Sequence, residues 1–293
     1  MEGSLELLVE PRRPSFLSYP SDLSRARAVI VGVPFDGGST CKPGCRYAPL
    51  VVRAVSQDLE TYDACRRIDA DELPVADVGD LAATGVRAES MLKSASRAVG
   101  ELVARGKRVV AIGGDHTITL GVLKGLGKRV SLVYFDAHLD YRDEYPPGER
   151  VSHATVLRRA VEEGLAAGAV VVGARAFSRE EVEVAEGAGV ALLGPEATPR
   201  DLEDALSTVS APLYVSIDVD ALDPAYAPGA SCPEPGGFSF LQLSKLLERA
   251  LEGEVVGADV VEVNPLADVN EVTSRVAAKL LVKCLIGLAA RSP

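Results

Sequence analysis

Histidine is nearly absent from this chain of 293 residues: His116, His138 and His153 are the full set. Side-chain amides are as rare, limited to Gln57, Gln242, Asn264 and Asn270, and Met91 is the one methionine besides Met1. So few thermolabile side chains are the composition expected of a thermophilic source. No apolar run reaches the roughly 18–20 residues a membrane span requires, so no membrane partner is expected. The opening MEGSLELLVEPRRP lacks the basic start and apolar stretch of a secretory signal, and a cytoplasmic location is the expectation. Basic residues are outnumbered, 31 Lys and Arg against 42 Asp and Glu, for a net charge of −11. That excess argues against nucleic acid as a partner, because phosphate contacts need clustered cations. It suits a small cationic substrate, although solubility alone accounts for such a charge.

Cysteine is sparse and oddly numbered: Cys41, Cys45, Cys65, Cys232 and Cys284, with no CxxC pair. Cys41 and Cys45 are spaced for a local disulfide or half a zinc site, but no second pair completes four ligands. Buried free thiols are the expectation for most of the five. A Cys41–Cys45 bridge stays open, since cytosolic disulfides do occur in hyperthermophiles.

What the chain does have is a large apolar content, 47%, enough for a sizeable core. Short β-branched runs occupy 27–35, 107–114, 129–138, 169–175, 212–220 and 255–263, and amphipathic helical patterns fill 87–104, 151–164, 179–188, 239–252 and 271–290. Continuous apolar runs are strands buried on both faces of a parallel sheet. Their alternation with helices predicts an α/β fold of three layers, α/β/α, around a mainly parallel central sheet. No linker, repeat or shift in composition divides the chain, so residues 1–293 are expected to form one domain. Loops rich in Gly and Pro at 36–49 and 224–237 both follow strands. They are placed at the C-terminal edge of the sheet, where open α/β sheets bind ligands.

The histidines gather at that same edge. His116 lies in GGDHT at 113–117, His138 in DAHLD at 136–140, and SIDVDALDP follows at 216–224. Residues two apart on a strand share a face, so Asp136 projects with His138, and Asp218 with Asp220, while Asp140 lies just beyond. Four carboxylates and two imidazoles thus meet in a small volume. Aspartates so close need cations, and two divalent ions would balance them. A carboxylate-rich site with some imidazole suits Mn²⁺, and paired ions acidify water and polarise an electrophile. Alone, a DxD is more often a solvated turn, and GGDH a turn in which Asp115 or Thr117 caps the next helix. Together, and taking two of three histidines, they read as a metal centre.

These motifs resemble the ureohydrolase superfamily of arginase, agmatinase and formiminoglutamase, and the resemblance spans nearly the whole chain. GGDHT carries Thr117 where serine is common; GVPFDGG at 32–38, GCRYAP at 44–49 and VEVNP at 261–265 look like the family's as well. The resemblance implies an arginase-like fold and two Mn²⁺ per chain. One ion would be held by His116, Asp136, Asp140 and Asp218, the other by Asp136, His138, Asp218 and Asp220. It also implies three catalytic residues. Asp140 would orient the attacking water and carry its proton to the leaving amine. His153 would shuttle protons, and Glu262 would pair with the guanidinium in bidentate fashion. Asp36 and Arg46 are read as structural. A homotrimer or homohexamer is implied, with no sequence feature fixing the number.

The substrate is read from YRDEYPPGERVSHAT, which follows the second motif. With Asp143, Glu144 and Glu149 it favours an ammonium over a carboxylate, and so agmatine or an aminopropyl-extended agmatine, as in archaeal-type agmatinases. The competing reading makes these charges a surface ion-pair cluster. Arginase, guanidinobutyrase or formiminoglutamase would keep the metal site but need a cationic anchor, for which Arg142, Arg150 and Arg158 are available. A non-catalytic metal-binding protein would have no need of His153 and Glu262.

Overall fold

A computed structural model describes residues 5–82, 87–209 and 212–290; Met1 and the first residues of the N-terminal segment lie outside them. The strands are β1 (Val9–Glu10), β2 (Ala28–Gly32), β3 (Tyr62–Asp63), β4 (Ile68–Asp69), β5 (Val75–Leu81), β6 (Arg108–Ile112), β7 (Val130–Phe135), β8 (Ala166–Val172), β9 (Val190–Leu193), β10 (Leu213–Asp218) and β11 (Val255–Val261). The helices are α1 (Ala48–Ser56), α2 (Ala88–Ala104), α3 (Ile118–Leu126), α4 (Val156–Glu162), α5 (Arg179–Gly187), α6 (Pro199–Leu206), α7 (Phe240–Ala250) and α8 (Val272–Ala289). β3 and β4 form a small hairpin apart, and the other strands make one sheet in the order β1-β5-β2-β6-β11-β10-β7-β8-β9. Every pairing in that sheet is parallel except β1 with β5.

The apolar runs become central strands because both faces are covered. One face packs on α1, α6, α7 and α8, through Val52, Leu202, Leu247 and Leu281; the other packs on α2, α3, α4 and α5, through Leu102, Leu120, Leu157 and Ala185. This is the expected three-layer arrangement. Burying one such aliphatic side chain stabilises the fold by about 1.5–3 kcal/mol, and dozens are buried here. Among the described residues no helix is long and apolar enough to cross a membrane.

β5 escaped the apolar-run criterion because VADVGDL carries two aspartates. They are buried on Arg53 of α1, itself fully buried: its Nε and Nη2 reach the Asp77 oxygens at 2.7 and 2.9 Å, and Nη1 reaches Asp80 at 2.5 Å. β1, β9, α1, α3 and α6 were also missed. α3 is apolar except for Thr119 and Lys124 and buried nearly throughout, which erases the amphipathic period. The segment read as a helix over 151–164 starts as a 3₁₀ turn, His153–Thr155, before α4.

Topology places the site. The chain passes from β6 to β7 across a gap that β10 and β11 later fill. Their C-terminal ends therefore lie side by side, each followed by a loop on the same edge.

Candidate metal centre

After β6 the backbone turns at Gly113-Gly114. A side chain at Gly114 would collide with the Phe35 carbonyl, so glycine is needed where the turn passes beneath the 36–49 loop. The turn delivers His116, fully buried, whose Nδ1 faces Asp136 Oδ2 at 3.1 Å, Asp218 Oδ2 at 3.3 Å and Asp140 Oδ2 at 3.4 Å. Its other nitrogen is fixed by a relay. Ser216 Oγ, 2.8 Å from His116 Nε2, donates to Asp259 Oδ1 at 2.6 Å, and Asp259 Oδ2 takes Tyr214 and Thr119 at 2.7 and 2.8 Å. Because the serine proton goes to Asp259, Ser216 Oγ accepts from His116 Nε2–H. The Nδ1 lone pair is then left among three carboxylates and Tyr134 Oη, which lies 3.0 Å away but gives its proton to Asp140.

Either a proton or a metal ion must occupy that position. Burial opposes charging His116, but Asp136 and Asp218 outweigh it and raise its pKa, so a metal would take the place of a proton. Asp136 Oδ2 is buried without a hydrogen-bond partner, as an oxygen reserved for a cation would be. On the other side His138 Nδ1 lies 2.9 Å from Asp220 Oδ2 and 3.4 Å from Asp136 Oδ1. Two clusters, His116–Asp136–Asp140 and Asp136–His138–Asp220, thus share Asp136. With Asp218 beside His116, the donor set fits a pair of divalent ions.

The expected residues are together, though not by simple strand alternation. β7 ends at Phe135 and β10 at Asp218. Asp136 and His138 converge because the His138 N–H donates to Asp136 Oδ1 at 2.6 Å, and Asp220 sits in a 3₁₀ turn whose own N–H donates to Asp218 Oδ1 at 2.8 Å. Two site residues hold left-handed backbone, Asp140 at φ 49° and Glu262 at φ 63°. Such positions cost non-glycine residues about 1–2 kcal/mol, and they cluster at functional sites.

Asp140 accepts from Tyr134 Oη at 2.6 Å. Burial and then the repulsion of Asp136 raise its pKa to about 7, against the pull of the histidines. His153 and Glu262 form a second unit beside the metal cluster, with His153 Nδ1 3.0 Å from Glu262 Oε1. Burial works against charging His153, yet Glu262, with Asp140 and Asp115 beyond, raises its pKa to about 9. Glu262 is held down to about 2, despite its burial, by His153, Ser231 and the His116 N–H. Its Oε1 also takes that N–H at 2.8 Å, while Oε2 takes Ser231 Oγ, with Cys45 Sγ at 3.6 Å. Both oxygens are therefore committed, which leaves no free fork for the bidentate guanidinium pairing expected of Glu262.

A cleft of about 520 Å³ opens over these groups, lined by His138, Asp140, His153 and Glu262 below and by Lys42, Arg142, Tyr145, Phe177 and Glu234 above. Asp143, Glu144 and Glu149 do not line it. Asp143 is paired with Arg150 at 3.0 Å and Arg159 at 2.8 Å, and Glu144 accepts from Gly148. Asp143 is thus part of a surface ion-pair cluster, because α4 sets Arg158 and Arg159 against it. Asp36 and Arg46 are structural as expected: Asp36 accepts from Arg46 Nε at 2.6 Å and from Gly44 N–H at 2.8 Å.

The cysteine expectation is corrected. Cys41 is bonded to Cys232, not Cys45, with Cα atoms 6.0 Å apart across 191 residues. Gly44, at φ 142°, turns the chain so that Cys45 is buried toward Glu262 while Cys41 stays on the cleft wall. Cys45 and Cys284 are buried free thiols, but Cys65 is exposed. Sequence reasoning missed Tyr134, Ser216, Asp259, Ser231 and Thr40. The signal available was a polar residue inside an apolar strand, Ser216 in LYVSID and Asp259 in VVGADVV.

The sequence pattern of the arginase family matches residues 26–287. An agmatinase of Pyrococcus horikoshii is 38% identical over 92% of this chain and 94% of its own length. A guanidinopropionase of Pseudomonas aeruginosa is also 38% identical, over 94% of this chain and 92% of its own. A solved structure of Trypanosoma cruzi formiminoglutamase with Mn²⁺ superposes with a TM-score of 0.84 at 25% identity, covering 95% of this chain and 99% of that one.

Proposed function

Because the chain belongs to the arginase family of binuclear metal-dependent hydrolases of amidino C–N bonds, we propose that it releases urea from agmatine, or from an aminopropyl-extended agmatine, leaving putrescine or the corresponding polyamine. One observation carries an amine in preference to a carboxylate. The arginines that could anchor a carboxylate are committed to acids: Arg150 to Asp143 at 3.0 Å, Arg158 to Glu162 at 2.8 Å, and Arg142 to Glu181 at 3.5 Å while it covers the Tyr145 ring. Glu234, at the cleft wall with its carboxylate 4.0 Å from His138 Nε2, is the acid placed to receive an ammonium.

Two divalent ions, held by His116, Asp136, Asp140 and Asp218 and by Asp136, His138, Asp218 and Asp220, would supply Lewis-acid polarisation and acidify water. An oxygen-rich set with imidazole favours Mn²⁺, the ion named for the formiminoglutamase neighbour. The chain's own groups do the rest. Asp140, held by Tyr134 beside the metal position, takes a proton from the attacking water and passes it to the leaving amine. Glu262 keeps negative charge beneath the guanidinium and orients His153. Thr40 contacts His153 Nε2 through its N–H at 3.1 Å and its hydroxyl at 2.8 Å. The N–H serves the neutral ring and the hydroxyl can accept from the charged one, so His153 exchanges protons without moving. We also read the chain as one catalytic domain that assembles as a homotrimer or homohexamer.

A guanidino acid is the second reading, favoured by Lys42 on the cleft wall. Urea release from agmatine, aminopropylagmatine, guanidinopropionate, guanidinobutyrate and arginine, side by side with Mn²⁺, decides between them. Agmatine or its aminopropyl derivative should give the highest kcat/KM. If an acid wins, and Lys42→Ala abolishes the preference, the agmatine assignment is wrong.

A further inference from the structure

We propose that the Cys41–Cys232 disulfide is a positioning element of the active centre: it closes a ring of bonds around His153 and Glu262, and opening it with a dithiol loosens that pair without disturbing the metal ligands. The two cysteines come from opposite ends of the chain, 191 residues apart, and both lie on the cleft wall. The residue before each holds one member of the pair. Thr40 bonds His153 Nε2 through N–H and hydroxyl, at 3.1 and 2.8 Å. Ser231 donates its hydroxyl to Glu262 Oε2 and its N–H to the Glu262 carbonyl, the latter at 3.1 Å. His153 Nδ1 and Glu262 Oε1, 3.0 Å apart, complete the circuit.

The metal ligands stand outside this ring. His116, Asp136 and Asp218 are set by the ends of β6, β7 and β10, and the His116 N–H to Glu262, at 2.8 Å, is the direct link between the two units. Bonds from Asn264 to the Lys42 and Pro43 carbonyls, at 3.2 and 3.1 Å, restrain the 36–49 loop beyond Cys41. Asn264 also donates its own N–H to the Gly229 carbonyl at 2.7 Å, and Cys45 Sγ reaches Glu262 Oε2 at 3.6 Å, so polar contacts join the two loops on one side. The disulfide is the covalent tie between them, placed directly beside Thr40 and Ser231.

Opening needs a reductant, and a dithiol is the chemical class that fits a cleft-wall disulfide. One thiolate attacks a cysteine sulfur and the second thiol resolves the mixed disulfide. The S–S bond breaks, two S–H bonds form, and the dithiol leaves as its own disulfide after giving two electrons and two protons. Freed loops misplace the pair, and misplacement of about 1 Å costs on the order of 100-fold in rate. A fall of 10- to 100-fold in kcat/KM is therefore expected, reversed on reoxidation.

The inference rests on the cleft being a guanidino-hydrolase site, and the test separates the two. The denatured, unreduced protein should titrate as three thiols, the five cysteines less the bonded pair; five would overturn the proposal. In Mn²⁺-loaded enzyme, reduction should raise amide exchange at Thr40 and Ser231 while bound metal stays constant. Unchanged exchange overturns the proposal whether or not a substrate is known. For urea release, Cys41→Ser/Cys232→Ser should carry the reduced enzyme's kcat and KM and ignore the dithiol. Equal constants in oxidised and reduced enzyme, or a dithiol effect that persists in the double variant, would also overturn it.

Discussion

Removing the Ser216 hydroxyl should weaken one metal position and spare the other. Ser216→Ala leaves His116 Nε2–H and Asp259 Oδ1 facing each other with nothing between them, in a fully buried site. Each unpaired buried group costs about 1–3 kcal/mol, and Asp259 is cushioned because Tyr214 and Thr119 still reach its other oxygen. The imidazole is no longer told which nitrogen to protonate. It can place its proton on Nδ1, among Asp136, Asp140 and Asp218, where the ion must bind. Losing such an outer partner lowers metal affinity about 10- to 100-fold, equal to about 1.4–2.7 kcal/mol. Because His138 has its own partners in Asp136 and Asp220, the second position should change much less. Chelator titration followed by metal analysis should therefore show a plateau at one ion per chain in the variant. Wild-type affinity at both positions, with the variant folded, would refute the relay.

Three further outcomes follow. His153→Asn should lower kcat by about 10²–10⁴-fold with bound metal unchanged, checked by steady-state kinetics and metal analysis. Arg53→Met leaves Asp77 buried without its cation and Asp80 with Arg12 alone, at 2.9 Å, and should cost about 3–5 kcal/mol, read as a lower denaturation midpoint. In metal-free protein His153 titrates at about 9, above its unfolded value of about 6.5. Its contribution to stability is thus complete below about 6.5 and lost as pH rises through about 9. The difference in denaturation free energy between wild type and His153→Asn should shrink across that window; a constant difference would show that Glu262 does not favour the charged ring.

The centre was legible because its residues are rare or out of place: three histidines in the chain, and aspartates at the ends of apolar runs. What was hidden depends on partners far away in sequence. β5 is a buried strand whose aspartates pair with Arg53, 24 and 27 positions earlier, and with Arg12, and no local pattern announces that. The cysteine bridge spans 191 residues, so the nearby Cys45 was the wrong place to look. The charges at 143–150 could be seen but not aimed; α4 decides that Asp143 meets its arginines rather than the cleft. Glu262 was found by resemblance, and its neighbours show both oxygens already taking hydrogen bonds, which supports a part in holding His153 rather than a free fork for a guanidinium.

The candidate metal ligands lie at or just after the ends of β6, β10 and β7, with Glu262 after β11 beside them, whereas the cleft wall is assembled from separate loops. A backbone change in any of those loops leaves the strand ends where they are. Substrate preference can therefore drift through point changes away from Thr40, Cys41, Ser231 and Cys232 while the metal ligands stay in place. For the engineer, randomising Lys42, Arg142, Tyr145, Phe177 and Glu234 is a low-risk library: most members should still fold and bind metal, and differ in what they admit.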